Sequence, residues 1–393
     1  MVSAMSYLRA ENLRIRVYQD ACVLPFDGSK TPCGGGVVCI DQMYVKDSTL
    51  FEWDSPLAYP LKRKCLEKRQ CCAVYIGVMV PIFGHCITDN LKKLWFLQTE
   101  EGKRLIREDY DIVYITYWGQ HLKPWGYDVL QSAGVDVSRL KEITKPTLYK
   151  RIYIPDNAII SKEIKKNVGE KYYTKEFKWV VDSILRYSSE CVLSVSYNKI
   201  YLSRTAYRSK RDFGEKRIER LFKKAGYEII FPERHSFVEQ VSIISHAEEI
   251  VTTEGSISHL AMFAKYGTKM LLLKKIDWMN PYQEFINEMA GLNVRYVNSN
   301  HSIKVECGWE GPFYMSPTRE LCGFLNIEAN DRYMLRLDYY VYLLYFCWCH
   351  FPVFKGGRFL AKKIIVSIKS YLEKRMIYQN DTWLHLINAQ TMR

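Results

Sequence analysis

Four segments of the sequence carry residue types suited to a substrate with phosphates and hydroxyls. Gly84-His85-Cys86-Ile87-Thr88-Asp89-Asn90 sets His85 and Asp89 four residues apart, a spacing that stacks two side chains on one helical face. A histidine supported by a carboxylate can take a proton from a hydroxyl. A solvated histidine beside a surface aspartate has the same spacing and no chemistry. Ser203-Arg204-Thr205-Ala206-Tyr207-Arg208-Ser209-Lys210-Arg211 is a basic loop ahead of a helix. Guanidinium forks match phosphate oxygens, and a helix N-terminus adds positive potential. Its bland counterpart is a solvated charge run. In Thr252-Thr253-Glu254-Gly255-Ser256-Ile257-Ser258-His259, Gly255 lets backbone approach a ligand, and Ser256 with the free N–H groups of the next turn can take an anion. A plain Gly-Ser helix start reads the same way. Finally, Glu239 in Phe237-Val238-Glu239-Gln240 suits ribose hydroxyls, but it also stands three residues after Ser236, the spacing of a capping box.

Such segments matter only if strands deliver them, because ligands of open α/β sheets bind beyond the carboxyl ends of the strands. A continuous apolar run predicts a buried strand at 73–80; another buried strand is expected at 111–117 and a further strand at 149–154, with helices at about 84–98 and 128–133 between them. Residues 34–53 predict short strands, and the charged stretch 161–188 a linking helix. The second half alternates more clearly. Strands are expected within 191–202 and at 227–231, 249–253 and 269–273. Helices are expected from Asp212 to Gly226, from Phe237 to Ala247 and from Ser256 to Lys265. Asp212 and Glu215 have capping-box spacing, as do Ser236 and Glu239. Alternating strands and helices give the α/β class, with a Rossmann-like second half. The four segments then fall at strand ends.

Composition narrows the class further. A chain of 393 residues with 48% apolar content has room for two cores and is not a disordered protein. A net charge of +13 favours anionic partners such as nucleotide phosphates, nucleic acid or an acidic membrane face. The 29 tyrosines suit sugar-handling clefts, since the ring packs on C–H groups while the hydroxyl makes a hydrogen bond. Twelve scattered cysteines without a CxxC pair read as reduced and intracellular, and Met1 to Asp20 has no signal-peptide pattern. Tyr339 to Phe354 is apolar but shorter than the roughly 20 residues of a spanning helix. The basic amphipathic stretch Phe359 to Arg375 that follows suits either an anionic membrane surface or a packed terminal helix. With neither GxGxxG nor a Walker A motif, hydride transfer and P-loop chemistry are not supported. Asp109-Tyr110-Asp111 opens a strand, the wrong end for a ligand, so no metal site is expected there.

The order of these segments resembles glycosyltransferase family 61: Ser203-Arg204, Lys224 to Ile229, Phe237-Val238-Glu239-Gln240 and Ala247 to His259, preceded by the His-containing stretch Gly84 to Trp95. The family's His-Gly-Ala-Gly turn reads Glu254-Gly255-Ser256-Ile257 here, as in a divergent, bacterial-type branch. The resemblance implies the GT-B type of α/β fold: two Rossmann-like domains facing across a cleft, with C-terminal helices. It also implies inverting transfer from a nucleotide-sugar, UDP-linked, with no cofactor and no metal. By the same resemblance Arg204, Glu239, Glu254, Gly255 and Ser256 bind the donor, and His85 or Asp89 is the base; the basic loop and the turn add Ser203, Arg208, Lys210 and His259 as expected donor contacts.

The expected organisation is an acceptor-side domain over 1–160, a linker helix over 161–190, a donor domain over 191–310 and terminal helices over 311–393. The expected protein is cytoplasmic, at the inner face of the cell membrane, transferring sugar to a lipid-linked precursor of a capsule or other surface polysaccharide, with no nucleic acid partner. Two other readings compete: a non-enzymatic nucleic-acid-binding protein, drawn from the basic charge, and a degenerate transferase fold serving as a partner subunit.

Overall fold

A computed structural model describes residues 7–350 except 11, 28–33, 40, 42, 46–47, 49–65, 107–109, 162–170, 192–196, 208–211, 277–279, 304–310 and 330–335. The stretch Phe359 to Arg375 therefore lies outside the described residues, as do Arg208 and Lys210.

The first half is built on a seven-stranded mixed sheet. Its order is Tyr44–Val45, Gly34–Val38, Ile15–Asp27, Thr147–Pro155, Glu67–Met79, Tyr110–Thr116 and Leu140–Glu142. Thr147–Pro155, Glu67–Met79, Tyr110–Thr116 and Leu140–Glu142 run parallel, and Ile15–Asp27 pairs antiparallel to Thr147–Pro155. The central strand Glu67–Met79 reads as a continuous apolar run from Ala73 onward because both faces of that part are covered. Val74 and Ile76 enter one core, while Ala73 and Tyr75 enter another.

The second half is an all-parallel five-stranded sheet in the order Glu228–Ile230, Lys199–Leu202, Glu249–Thr253, Lys269–Lys274, Asn293–Asn298. This is the doubly wound pattern, and its switch point lies between Lys199–Leu202 and Glu249–Thr253. The helix Glu215–Lys224 covers one face through Ile218 and Phe222. Phe237–His246 and Pro281–Met289 cover the other. The strands expected in this half all form; the fifth, Asn293–Asn298, and the helix before it were not anticipated from the sequence.

One apolar core continues from the first sheet to the second. It contains Val74 and Tyr114 of the first sheet, Ile200 and Ile250 of the second, and helices between them. In that middle layer the helix Lys175–Cys191 buries Phe177, Val180, Val181, Ile184 and Ser188, a stripe at helical spacing. The helix Leu337–His350 packs on the second half. Tyr342 meets Phe213 and Tyr314, and Arg217 pairs with Asp338 at 3.2 Å.

Three local expectations change. The segment after Val80 is not one helix to Gln98 but short turns, Phe83–Cys86, Asp89–Leu91 and Leu94–Gln98. Ser256 to Lys265 likewise reduces to the 3-10 turn Ser258–Phe263. Asp212 does not cap a helix. Asp212–Phe213 pairs with Phe313–Tyr314, and the helix starts after Gly214 at φ 78°. A Cβ on Gly214 would lie 2.0 Å from the Met315 carbonyl oxygen, so this tight crossing requires glycine.

Candidate active site

Three strand ends of the second sheet converge at its switch point. Ser203 and Arg204 follow Leu202, Glu254 follows Thr253, and Lys275 follows Lys274. Asp212 gathers the cations: its Oδ2 lies 3.2 Å from the Lys275 Nζ and 3.6 Å from an Arg204 guanidinium nitrogen. Lys275 is buried. Burial lowers its pKa, and the nearby Asp212 opposes that shift. Arg204 is partly open, and its backbone N–H donates to Glu215 Oε1 at 2.9 Å. Ser203 is fully buried, and its hydroxyl donates to Glu219 Oε2 at 2.7 Å. The position is thus a basic floor held in place by carboxylates beneath it.

The turn Thr253 to Ser258 lies over this floor. Gly255 has φ 126°, and a Cβ there would stand 4.0 Å from the Lys275 ammonium. Glu254 is only 3% exposed, and neither of its carboxylate oxygens has a hydrogen-bond partner. The backbone N–H groups of Lys275 and Asn280 do face it. Burial pushes the Glu254 carboxyl up to about 7, against the lowering charges of Lys275 and Lys274. His259 is buried behind the turn. Its Nδ1 lies 3.2 Å from Gln283 Oε1, and burial holds its pKa down at about 4, so the ring is neutral near pH 7. Glu239 lies apart from this group: its carboxylate accepts from the Ser236 N–H and hydroxyl, and the Ser236 oxygen accepts from the Glu239 N–H. These bonds hold Glu239 below the usual carboxylate range.

The first half meets this turn with the segment that follows its central strand. A Cβ on Gly84 would lie 2.7 Å from the Ser256 hydroxyl oxygen, so Gly84 packs directly against Ser256 of the other half. The next residue is His85, whose Nδ1 lies 2.5 Å from Asp89 Oδ2. The contact survives the break between the two helical turns, because the Thr88 hydroxyl donates to the Gly84 carbonyl and keeps the chain coiled. His85 is partly exposed and Asp89 is buried. Burial raises the Asp89 pKa, but the hydrogen bond and charge of His85, the charge of Lys92 and the Tyr282 hydroxyl outweigh it and hold the carboxyl low. With Nδ1 directed at Asp89, Nε2 is the ring nitrogen left to accept a proton.

The structure therefore brings together His85, Asp89, Arg204, Glu254, Gly255 and Ser256, with Ser203 and His259 supporting them from behind. Sequence reasoning missed Asp212, Lys275 and Tyr282. The strand-end rule that selects Arg204 and Glu254 also selects Lys275, which directly follows a buried strand. Nothing local marks Tyr282.

Residues 83–271 match the family model described as Glycosyltransferase 61. No curated protein matches the chain. The matched segment begins two residues before His85 and ends in the second sheet, past the Glu254–His259 turn, so it takes in the base candidate and most of the basic floor. Over those residues the chain is similar to glycosyltransferase family 61, and the protein is a glycosyltransferase.

Proposed function

We propose that the protein is an inverting, metal-independent transferase of GT-B type that moves a sugar from a nucleoside diphosphate donor, UDP-linked, to a hydroxyl of a glycan acceptor. The observation that carries this reading is the approach of Gly84 to Ser256: it sets the His85–Asp89 pair of one half against the ligand end of the other.

The acceptor oxygen attacks the anomeric carbon from the side opposite the diphosphate and loses its proton to His85 Nε2 as the new C–O bond forms. The bond from the anomeric carbon to the diphosphate breaks, and the electron pair leaves with the nucleotide. A single displacement inverts the configuration. Asp89 stabilises the imidazolium that forms. Arg204 and Lys275 balance the charge growing on the leaving diphosphate, in a site where fixed charges need little reorganisation. Gly255 and Ser256 supply backbone and hydroxyl contacts to the same group. The acceptor is read as lipid-linked, a precursor of capsule or other surface polysaccharide, handled on the cytoplasmic side of the membrane. That part rests on the apolar and basic sequence between Tyr339 and Arg375. Among the described residues, no helix is long and apolar enough to cross a membrane.

The deciding experiment is thermal stabilisation by UDP, GDP, CMP, TDP and ADP. A ligand held at about 100 times its dissociation constant adds roughly 2.7 kcal/mol to folded stability. One nucleotide is expected to raise the midpoint, and Arg204→Ala is expected to abolish the shift. A shift that survives both Arg204→Ala and Lys275→Ala would move the donor elsewhere.

A further inference from the structure

We infer that Tyr282, contributed by the second half, is a positioning residue for the His85–Asp89 pair of the first. This rests on the reading of His85 as the base. The Tyr282 hydroxyl donates to Asp89 Oδ1 at 2.5 Å, while Asp89 Oδ2 faces His85 Nδ1 at the same distance. The two carboxylate oxygens are thus divided between the halves, one to each. A carboxylate gripped at one oxygen can swing about its Cβ–Cγ bond. Held at both, it fixes the plane of the imidazole and so the direction of Nε2. In enzyme sites generally a base is oriented by a further group, and precise geometry follows when that group's own rotamer is held by packing and hydrogen bonds.

Tyr282 is itself well fixed. Its backbone N–H donates to Asn280 Oδ1 at 2.9 Å at the start of the helix Pro281–Met289. Its ring stands edge-on to Phe285 and His259, with centroids 6.0 and 6.4 Å away. The next residue, Gln283, accepts from the Ser258 hydroxyl at 2.6 Å, within the turn that follows Gly255. Asn280 also presents its backbone N–H to Glu254. One helix start therefore touches the donor turn on one side and the base on the other. The same helix binds the first half elsewhere, since Glu288 accepts from the Tyr7 N–H at 3.0 Å and the Tyr173 hydroxyl at 3.1 Å. A base oriented in this way depends on how the second half packs against the first.

Tyr282→Phe removes one oxygen and keeps the ring, so folding is expected to persist, with a thermal midpoint within a few degrees of the parent. Two measurements read the role. The first follows the Nδ1 proton of His85 by NMR, assigned through its loss in His85→Ala and Asp89→Asn. In Tyr282→Phe this resonance is expected to shift and exchange faster with water. The second is turnover of a UDP-sugar to UDP. Turnover in Tyr282→Phe is expected to fall on the order of tenfold with the donor KM within about twofold, a fraction of the 10²–10⁴ a general base supplies. In a His85→Ala background the same change is expected to add nothing further. An unchanged resonance together with unchanged turnover overturns the inference while leaving His85 as base. A further loss in the His85→Ala background also overturns it, because Tyr282 then acts by another route. Full turnover by His85→Ala sinks the base reading itself, whatever Tyr282 does.

Discussion

At the scale of single residues, two buried titratable groups flank the Gly255 turn and act on stability with opposite signs. Glu254 has a folded pKa of about 7, above its ordinary 4.5. A carboxyl raised in this way favours the folded state at low pH, and that contribution is lost as pH rises from about 4.5 through 7. Glu254→Gln, which keeps the neutral form at every pH, is expected to stabilise the protein at pH 8 by up to about 3 kcal/mol and to change little at pH 4. Urea unfolding at the two pH values checks this. A destabilisation at pH 8 would mean that the carboxylate is paired in solution. His259 runs the other way. Its folded pKa of about 4 lies below the ordinary 6.5, so its contribution is complete above pH 6.5 and is lost as pH falls toward 4. Under the proposed mechanism, His85→Ala is expected to lower turnover by about 10²–10⁴, the range of a positioned general base.

At the scale of elements, local signals decide more than ligand contacts do. The helix Phe237–His246 starts with a complete capping box, and Ser236→Ala is expected to destabilise by about 1 kcal/mol. Glu239 separates two roles that its sequence position left open. If it serves the cap, Glu239→Ala lowers the unfolding midpoint and leaves nucleotide affinity unchanged; weakened nucleotide binding at unchanged stability would return it to the donor site. Gly214 is the other element-scale constraint. Its positive φ and its contact with the Met315 carbonyl let the strand Asp212–Phe213 turn directly into a helix. Gly214→Ala is expected to destabilise by roughly 2–4 kcal/mol, through backbone strain and displacement of the Phe313–Tyr314 pairing, measurable as a shift in urea midpoint. That strand places Asp212 under Arg204 and Lys275, so the same variant should weaken nucleotide binding.

At the scale of the whole molecule, the site exists because two sheets share one core and meet at Gly84 and Ser256. A methyl at position 84 must push against the Ser256 side chain, since the close atoms are its oxygen at 2.7 Å and its Cβ at 3.0 Å. Gly84→Ala is expected to destabilise by about 1–3 kcal/mol, as overpacking does, and to lower turnover by displacing His85. Ser256→Gly in the same chain removes both close atoms and should restore the stability. If the double variant is no more stable than Gly84→Ala alone, the halves do not meet at this point in solution.

The sequence by itself determined the alternation of buried strands with amphipathic helices. The run Ala73 to Val80 is apolar throughout because both faces of a central parallel strand are covered, a signal that needs no partner to be read. It also determined which segments lie at strand ends, and so pointed to His85, Arg204 and Glu254. The His85–Asp89 spacing held even though the expected long helix broke into turns, because a four-residue separation needs only one turn of coil. Tertiary structure decided the rest. Asp212 has the spacing of a helix cap, and only the packing of Phe313–Tyr314 beside it turns it into the anchor for two cations. Lys275 looks like a surface residue after a strand until the turn at Gly255 closes over it. Tyr282 stands 193 residues from the aspartate it holds. A contact that distant leaves no periodicity in the chain, because it is set by how one sheet's helices pack on the other's and not by any preference of the residues around it.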